Sequence, residues 1–167
     1  MTTRSPLHRQ AYHEAGHGVV ALFRGHRLKR ISVEPGTARA PGQAITYLGR
    51  TVVTFDYPDG VVAFAGYHAE KRFCPRCSFP GGYREDELAA RDILQEVAPG
   101  GPERHQEQTK IWQGWERESR RLIKVPAIWS GIEALAAALV ERGTLEGPEA
   151  SRLVETELSR RASVPGT

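Results

Sequence analysis

The sequence predicts an α+β fold, a mostly helical domain with a small inserted β-sheet. Three observations carry that expectation. Residues 5–25 place apolar side chains at helical spacing, residues 28–55 change to short alternating runs, and from residue 59 onward long helical patterns return between Pro/Gly breaks. At 167 residues the chain suits one domain with a sizeable core, expected over residues 1–161, followed by a flexible tail at 162–167.

The first helix is expected to start with Ser5 as cap and Pro6 in the first helical position, where a missing N–H costs nothing. Leu7, Ala11, Ala15, Val19 and Leu22 form its apolar stripe, and Gly25 ends it. Leu28 to Glu34 reads as a strand through Ile31 and Val33, and a Pro/Gly-rich loop follows from Pro35 to Gly42. Ala44–Leu48 and Thr51–Phe55 read as two further short strands, a hairpin turning at Gly49-Arg50.

Asp59 is placed to cap a second helix over 60–73, with Ala63, Phe64 and Tyr67 along one side. Cys74 to Tyr83 reads as a loop. Further helices are expected from about Arg84 to Val97 and over 103–124, 126–142 and 148–160. Trp112, Trp115 and Trp129 fall on helices at core-like spacing and read as packing residues.

The formal net charge is only +3, which does not call for a nucleic-acid partner. Residues 1–50 carry eight Arg/Lys against Glu14 and Glu34, much of the excess lying between Arg24 and Arg30, where it complements a helix C-terminus. The N-terminus lacks the apolar core of a signal peptide, and no apolar run reaches membrane-spanning length. With only Cys74 and Cys77 there is no disulfide framework. These features point to a soluble, reducing, cytoplasmic setting with no membrane partner. The Cys74-x-x-Cys77 pair lacks the partners of a four-ligand zinc site and the strand–helix context of a redox motif, so it reads as reduced cysteines in a loop.

His13-Glu14-Ala15-Gly16-His17 is an H-E-x-x-H motif in mid-helix. Residues four apart stand one above the other on a helix face, so both imidazoles can converge on one zinc ion at about 2.0–2.1 Å. A carboxylate one residue after the first His can take a proton from metal-activated water. Two surface histidines on an amphipathic helix are the plain alternative. Against it stand the small neighbours Ala15, Gly16 and Gly18, the glycines each costing a helix roughly 1 kcal/mol unless packing or function requires them. A catalytic zinc keeps three protein ligands and one open position. The extended metzincin pattern would need Gly at 20 and His at 23, and the chain has Val20 and Phe23. The remaining candidates are carboxylates, Glu85, Asp86 and Glu87 at a helix start and Glu70 within a helix, and chemistry alone does not choose between them.

Ala11 to Leu22 resembles the zinc helix of the FtsH peptidase domain, part of a family of membrane-bound, ATP-driven zinc proteases. Ala65-Gly66-Tyr67-His68-Ala69-Glu70 resembles that family's G-x-x-A-E helix. Gly82 to Ala90 resembles its G-A-x-N-D-x-x-x-A segment, and Ile132 to Leu153 its closing helices. The resemblance implies a zinc-peptidase fold with Asp86 as third ligand and Glu70 supporting a ligand from outside the metal shell, a helix salt bridge being the plainer role for Glu70. It also implies that an extended substrate pairs with the strand at Ala44–Leu48. Departures are Glu85 in place of the family's Asn and a longer preceding loop, so that a one-residue slip would put Glu85 or Glu87 at the metal. The chain has no G-x-x-x-x-G-K-[ST] phosphate loop and no membrane span.

The expected activity is therefore zinc-dependent hydrolysis of peptide bonds without an ATPase, with Glu14 as general base, His13, His17 and Asp86 as ligands, and flexible or unfolded polypeptide segments as substrate. The rival readings are a proteolytically inactive zinc-binding regulatory or interaction module, and a protease confined to one specific partner.

Overall fold

A computed structural model describes residues 5–36, 47–77 and 83–162. The Pro35–Gly42 loop, residues 44–46 of the expected strand, much of the Cys74–Tyr83 loop and residues 163–167 of the expected tail lie wholly or partly outside them.

Helix α1 (Pro6–Phe23) runs through the middle of the fold. The Ser5 hydroxyl accepts from the His8 N–H at its start. At its end Gly25 takes φ +88°, which lets the His26 N–H return to the Ala21 carbonyl at 2.9 Å. Ala11, Ala15, Val19, Val20 and Ala21 are fully buried, because helices pack on two sides of α1 and the sheet on a third. The small residues permit this. A Cβ added to Gly16 would lie 2.6 Å from the Ala65 carbonyl oxygen, and one on Gly18 would lie 3.2 Å from Ile31 and 3.3 Å from Leu135.

The sheet has the order β2-β1-β3, all antiparallel, with β1 at Arg27–Pro35, β2 at Tyr47–Thr54 and β3 at Thr144–Glu146. Ile31 pairs with Thr51 and Val33 with Gly49. The expected hairpin at Gly49-Arg50 is not formed: both residues lie inside β2, paired with Val33 and Ser32. Here Gly49 marks a close approach of α1 rather than a turn. Strand β3 was not expected, since three residues are too short to show a period.

Helix α2 (Gly60–Phe73) crosses α1, and α3 (Arg84–Val97) packs on α2. A 3-10 turn (Pro102–Arg104) leads into α4 (His105–Lys124), which covers α2; α5 (Pro126–Arg142) packs on α1, and α6 (Gly147–Ala162) on α5 and β1. The chain is thus mostly helical with one small sheet. Helix α6 runs through Ala162, the first residue of the expected tail. Among the described residues no single helix is long and apolar enough to cross a membrane.

Asp59 ties α1 to α2. It accepts from the Val61 N–H as the α2 cap and also receives Arg24 and the His26 Nε2 (2.9 Å) from the end of α1. The packed face of α2 carries Val61, Val62, Ala65, Gly66, Ala69 and Glu70, while Phe64 turns edge-on to Trp112. Trp115 and Trp129 pack against the core as expected. Cys74 and Cys77 correct the expectation of reduced thiols: a turn closed by the Cys77 N–H on the Cys74 carbonyl (3.1 Å) brings their Cα atoms to 5.4 Å, and they are joined as a disulfide.

His68, on α2, is buried with no partner for its Nε2 among the described residues. Burial, then the nearby Arg120 charge on α4, lowers its pKa from 6.5 to about 4. Below pH 6.5 the unfolded chain takes up a proton that the folded chain refuses until about pH 4, so stability present above pH 6.5 is lost as the pH falls through that window. Urea midpoints of wild type should fall between pH 7 and 4.5 by an equivalent of about 1–2 kcal/mol more than those of His68→Gln. Parallel curves for the two proteins would contradict this assignment.

Candidate metal centre

Helix α1 presents His13, Glu14 and His17 from its buried middle turns. The two imidazoles are oriented from behind by α2. The Nδ1 of His17 donates to the Val62 carbonyl at 2.8 Å, and the Nδ1 of His13 donates to Glu70 Oε2 at 3.2 Å. A carbonyl oxygen can only accept, so the proton of His17 belongs on Nδ1. Both Nε2 atoms then face forward, 3.1 Å apart.

The first turn of α3 brings Asp86 to the same point. Its Oδ2 lies 3.0 Å from His13 Nε2 and its Oδ1 3.3 Å from His17 Nε2. Among the described residues His13, His17 and Asp86 form a group that could hold a metal ion. Glu85 lines the adjoining cleft, Glu87 is exposed, and neither belongs to the group.

The donor chemistry fits a cation. With both Nδ1 protons committed, neutral rings would aim two nitrogen lone pairs at each other and at a carboxylate, an arrangement that repels unless positive charge sits among them. The protonation energetics express the same demand. Burial pulls the His13 pKa down, but hydrogen bonds to Asp86 and Glu70 outweigh it and raise the value from 6.5 to about 10. Burial pushes the Asp86 carboxyl up, but the His17 charge and hydrogen bonds from both imidazoles hold it well below the usual range. The two Nε2 atoms are 3.1 Å apart and each lies 3.0 or 3.3 Å from a different oxygen of Asp86, distances near the roughly 3.3 Å between neighbouring ligands of a tetrahedral metal ion.

Glu14 stands beside this group on the wall of a cleft of about 470 Å³, which is bounded by Thr51 and Val53 of β2, Val62 of α2 and Ile93 of α3. Its carboxylate accepts from Gln10 Nε2 on Oε1 at 2.8 Å and from Thr51 Oγ1 on Oε2 at 2.6 Å. The Asp86 side chain keeps 24% exposure, so the donor group is reachable from the cleft.

Glu70 contacts both His13 and Arg9. One oxygen meets His13 and the other forms a salt bridge with Arg9 (3.0 Å), whose charge allows the carboxylate to stay buried. Gly66 leaves the space the imidazoles occupy: a Cβ there would lie 2.3 Å from His17 Nε2 and 2.7 Å from His13 Nε2.

Sequence reasoning missed several contributors. Gln10 had a signal, since it lies four residues before Glu14 on the same helix face. Thr51, Arg9 and the Val62 carbonyl had none, because they arrive by tertiary packing. The chain matches no family model and no curated protein.

Gly66→Ala should weaken any divalent-metal affinity of the three-residue group about tenfold or more, as read by titration against a chromophoric chelator. Gly114→Ala is the control, because a Cβ at that position of α4 meets nothing within 4 Å. It should leave metal uptake unchanged and raise stability by about 0.5–1 kcal/mol. Equal metal affinity in both variants would show that the space at Gly66 is not needed by the imidazoles.

Proposed function

We propose that this protein is a zinc-dependent metallopeptidase that hydrolyses peptide bonds with metal-activated water. The observation that carries the reading is the Glu14 carboxylate lining an open cleft beside the converging donors of His13, His17 and Asp86.

His13, His17 and Asp86 would hold the ion, leaving its remaining position to the cleft. Bound zinc would supply Lewis acidity for the scissile carbonyl and make a water molecule acidic enough to be deprotonated near neutral pH. Glu14 takes the proton from the attacking water and delivers it to the leaving amine. Glu70 and the Val62 carbonyl keep the imidazoles oriented, the Glu70 carboxylate also raising the basicity of His13 toward a metal. A His₂-carboxylate set also suits other divalent ions; the placement of Glu14 favours hydrolysis and therefore zinc.

Among the described residues strand β2 lies at an edge of the sheet, and Tyr47 to Thr51 border the cleft. An extended peptide can lie along it, which favours flexible or unfolded polypeptide segments as substrate. The resemblance of the zinc helix to the FtsH peptidase domain agrees with this reading. The 167 residues include no phosphate-loop motif that would couple ATP to unfolding. A cytoplasmic location is part of the same proposal.

Elemental analysis should find one zinc per chain in wild type and in Glu14→Gln, with cleavage of unfolded casein lost by about a hundredfold or more in the variant. Cleavage retained by Glu14→Gln would rule out the mechanism. Zinc bound by a wild type that cleaves nothing would identify the rival, a non-proteolytic zinc-binding regulatory module.

A further inference from the structure

We propose that Thr51 and Gln10 are positioning residues that clamp the Glu14 carboxylate from two sides and set its orientation toward the metal site. The proposal rests on the peptidase reading and adds to it the residues that aim the base.

Along β2, side chains alternate between faces, so Gly49 and Thr51 both point toward α1 while Leu48 and Arg50 point outward and are exposed. The inward pair is shaped around Glu14. A Cβ on Gly49 would lie 2.1 Å from Glu14 Oε1 and 2.5 Å from Gln10 Nε2, so only glycine lets the strand come this close. Two residues on, the Thr51 hydroxyl has one proton and two acceptors in range, Glu14 Oε2 at 2.6 Å and the Glu14 carbonyl at 3.3 Å; the shorter contact takes it. Gln10 engages the other oxygen from one helical turn earlier.

Satisfying a buried carboxylate would need only some donors. Here the donors come from two different elements and engage different oxygens, which removes the rotation that a glutamate side chain otherwise has. Each oxygen keeps a second lone pair, so the clamp leaves room for a proton from water. Because Thr51 belongs to the strand that borders the cleft, the base and the substrate-facing wall are registered to each other through a single hydroxyl.

The experiment compares wild type, Thr51→Val, Thr51→Ser and Gln10→Met as zinc-loaded full chains. Zinc stoichiometry should be equal in all four. With unfolded casein, Thr51→Val should lower kcat about tenfold or more while KM stays within about twofold, and Thr51→Ser should restore most of it. Calorimetric titration with acetohydroxamate supplies a second readout independent of turnover. A hydroxamic acid gives up a proton on chelating a metal and needs an oriented neighbouring base to keep it. Its affinity should fall about tenfold in Thr51→Val and recover in Thr51→Ser. Should the valine variant not fold, Gln10→Met, which removes the donor from the other oxygen, is expected to show the same two losses and decides the question.

Wild-type hydroxamate affinity and kcat in Thr51→Val, or equal losses in Thr51→Val and Thr51→Ser, would overturn the clamp. If zinc-loaded wild type cleaves nothing, the peptidase reading fails while the hydroxamate series still decides the clamp. A wild type that takes up no zinc overturns both.

Discussion

The close approach of α1 and α2 is the constraint on which the rest of the structure depends. Gly16 and Ala65 let the two backbones nearly touch, and Gly66 leaves a gap that the two imidazoles fill. At a larger separation the Val62 carbonyl and Glu70 would not reach the Nδ1 atoms, and the rings would be free to turn. Asp59 holds the same two helices together at their other end, through Arg24 and His26. Helix packing and ligand orientation are therefore one geometric fact. Gly16 and Gly66, which weaken each helix taken alone, are what allow the pair to form the site.

The site concentrates negative charge in a buried place. Glu14 and Glu70 are buried and Asp86 is partly so, while Arg9 is the cation paired with this cluster among the described residues. Such a cluster is tolerable only with further positive charge in its midst. A protonated His13, 3.0 Å from Asp86, would meet part of that demand, and a divalent ion at the same group would meet it more fully. The glutamate beside the donors is held differently, by hydrogen bonds from uncharged donors to both oxygens.

What could be read from the sequence was local, and what could not was tertiary. Ser5, Pro6 and Gly25 announce the bounds of α1, and the spacing of His13 and His17 places both on one face. Asp59 announces α2. The Gly49-Arg50 pair reads as a turn because glycine punctuates most chains; it is strand here because the neighbour it must clear, Glu14, lies far away in sequence. The packed side of α2 was hard to identify for a related reason. Its most enclosed positions include Ala65 and Ala69, whose value is that they are small, whereas Phe64 and Tyr67 carry the apolar bulk. Convergence of Asp86 on the histidines could be expected only by resemblance, since spacing alone left Glu85 and Glu87 equally eligible.

The sheet also has a consequence for the order in which the protein can assemble. Strand β3 pairs with β1 through Arg30 and Glu146, and Gly147 passes so close to β1 that a Cβ would lie 1.8 Å from the Leu28 carbonyl oxygen. One flank of β1 therefore waits for a segment made more than a hundred residues later. Closing so large a loop is entropically costly and slow. All three donors and the base, by contrast, lie within the first 86 residues. During synthesis the parts of the metal site are on hand long before the sheet is complete, while an open strand edge stays available for pairing with the wrong partner. Completion of the fold, rather than arrival of the site residues, then sets when the chain becomes safe from aggregation.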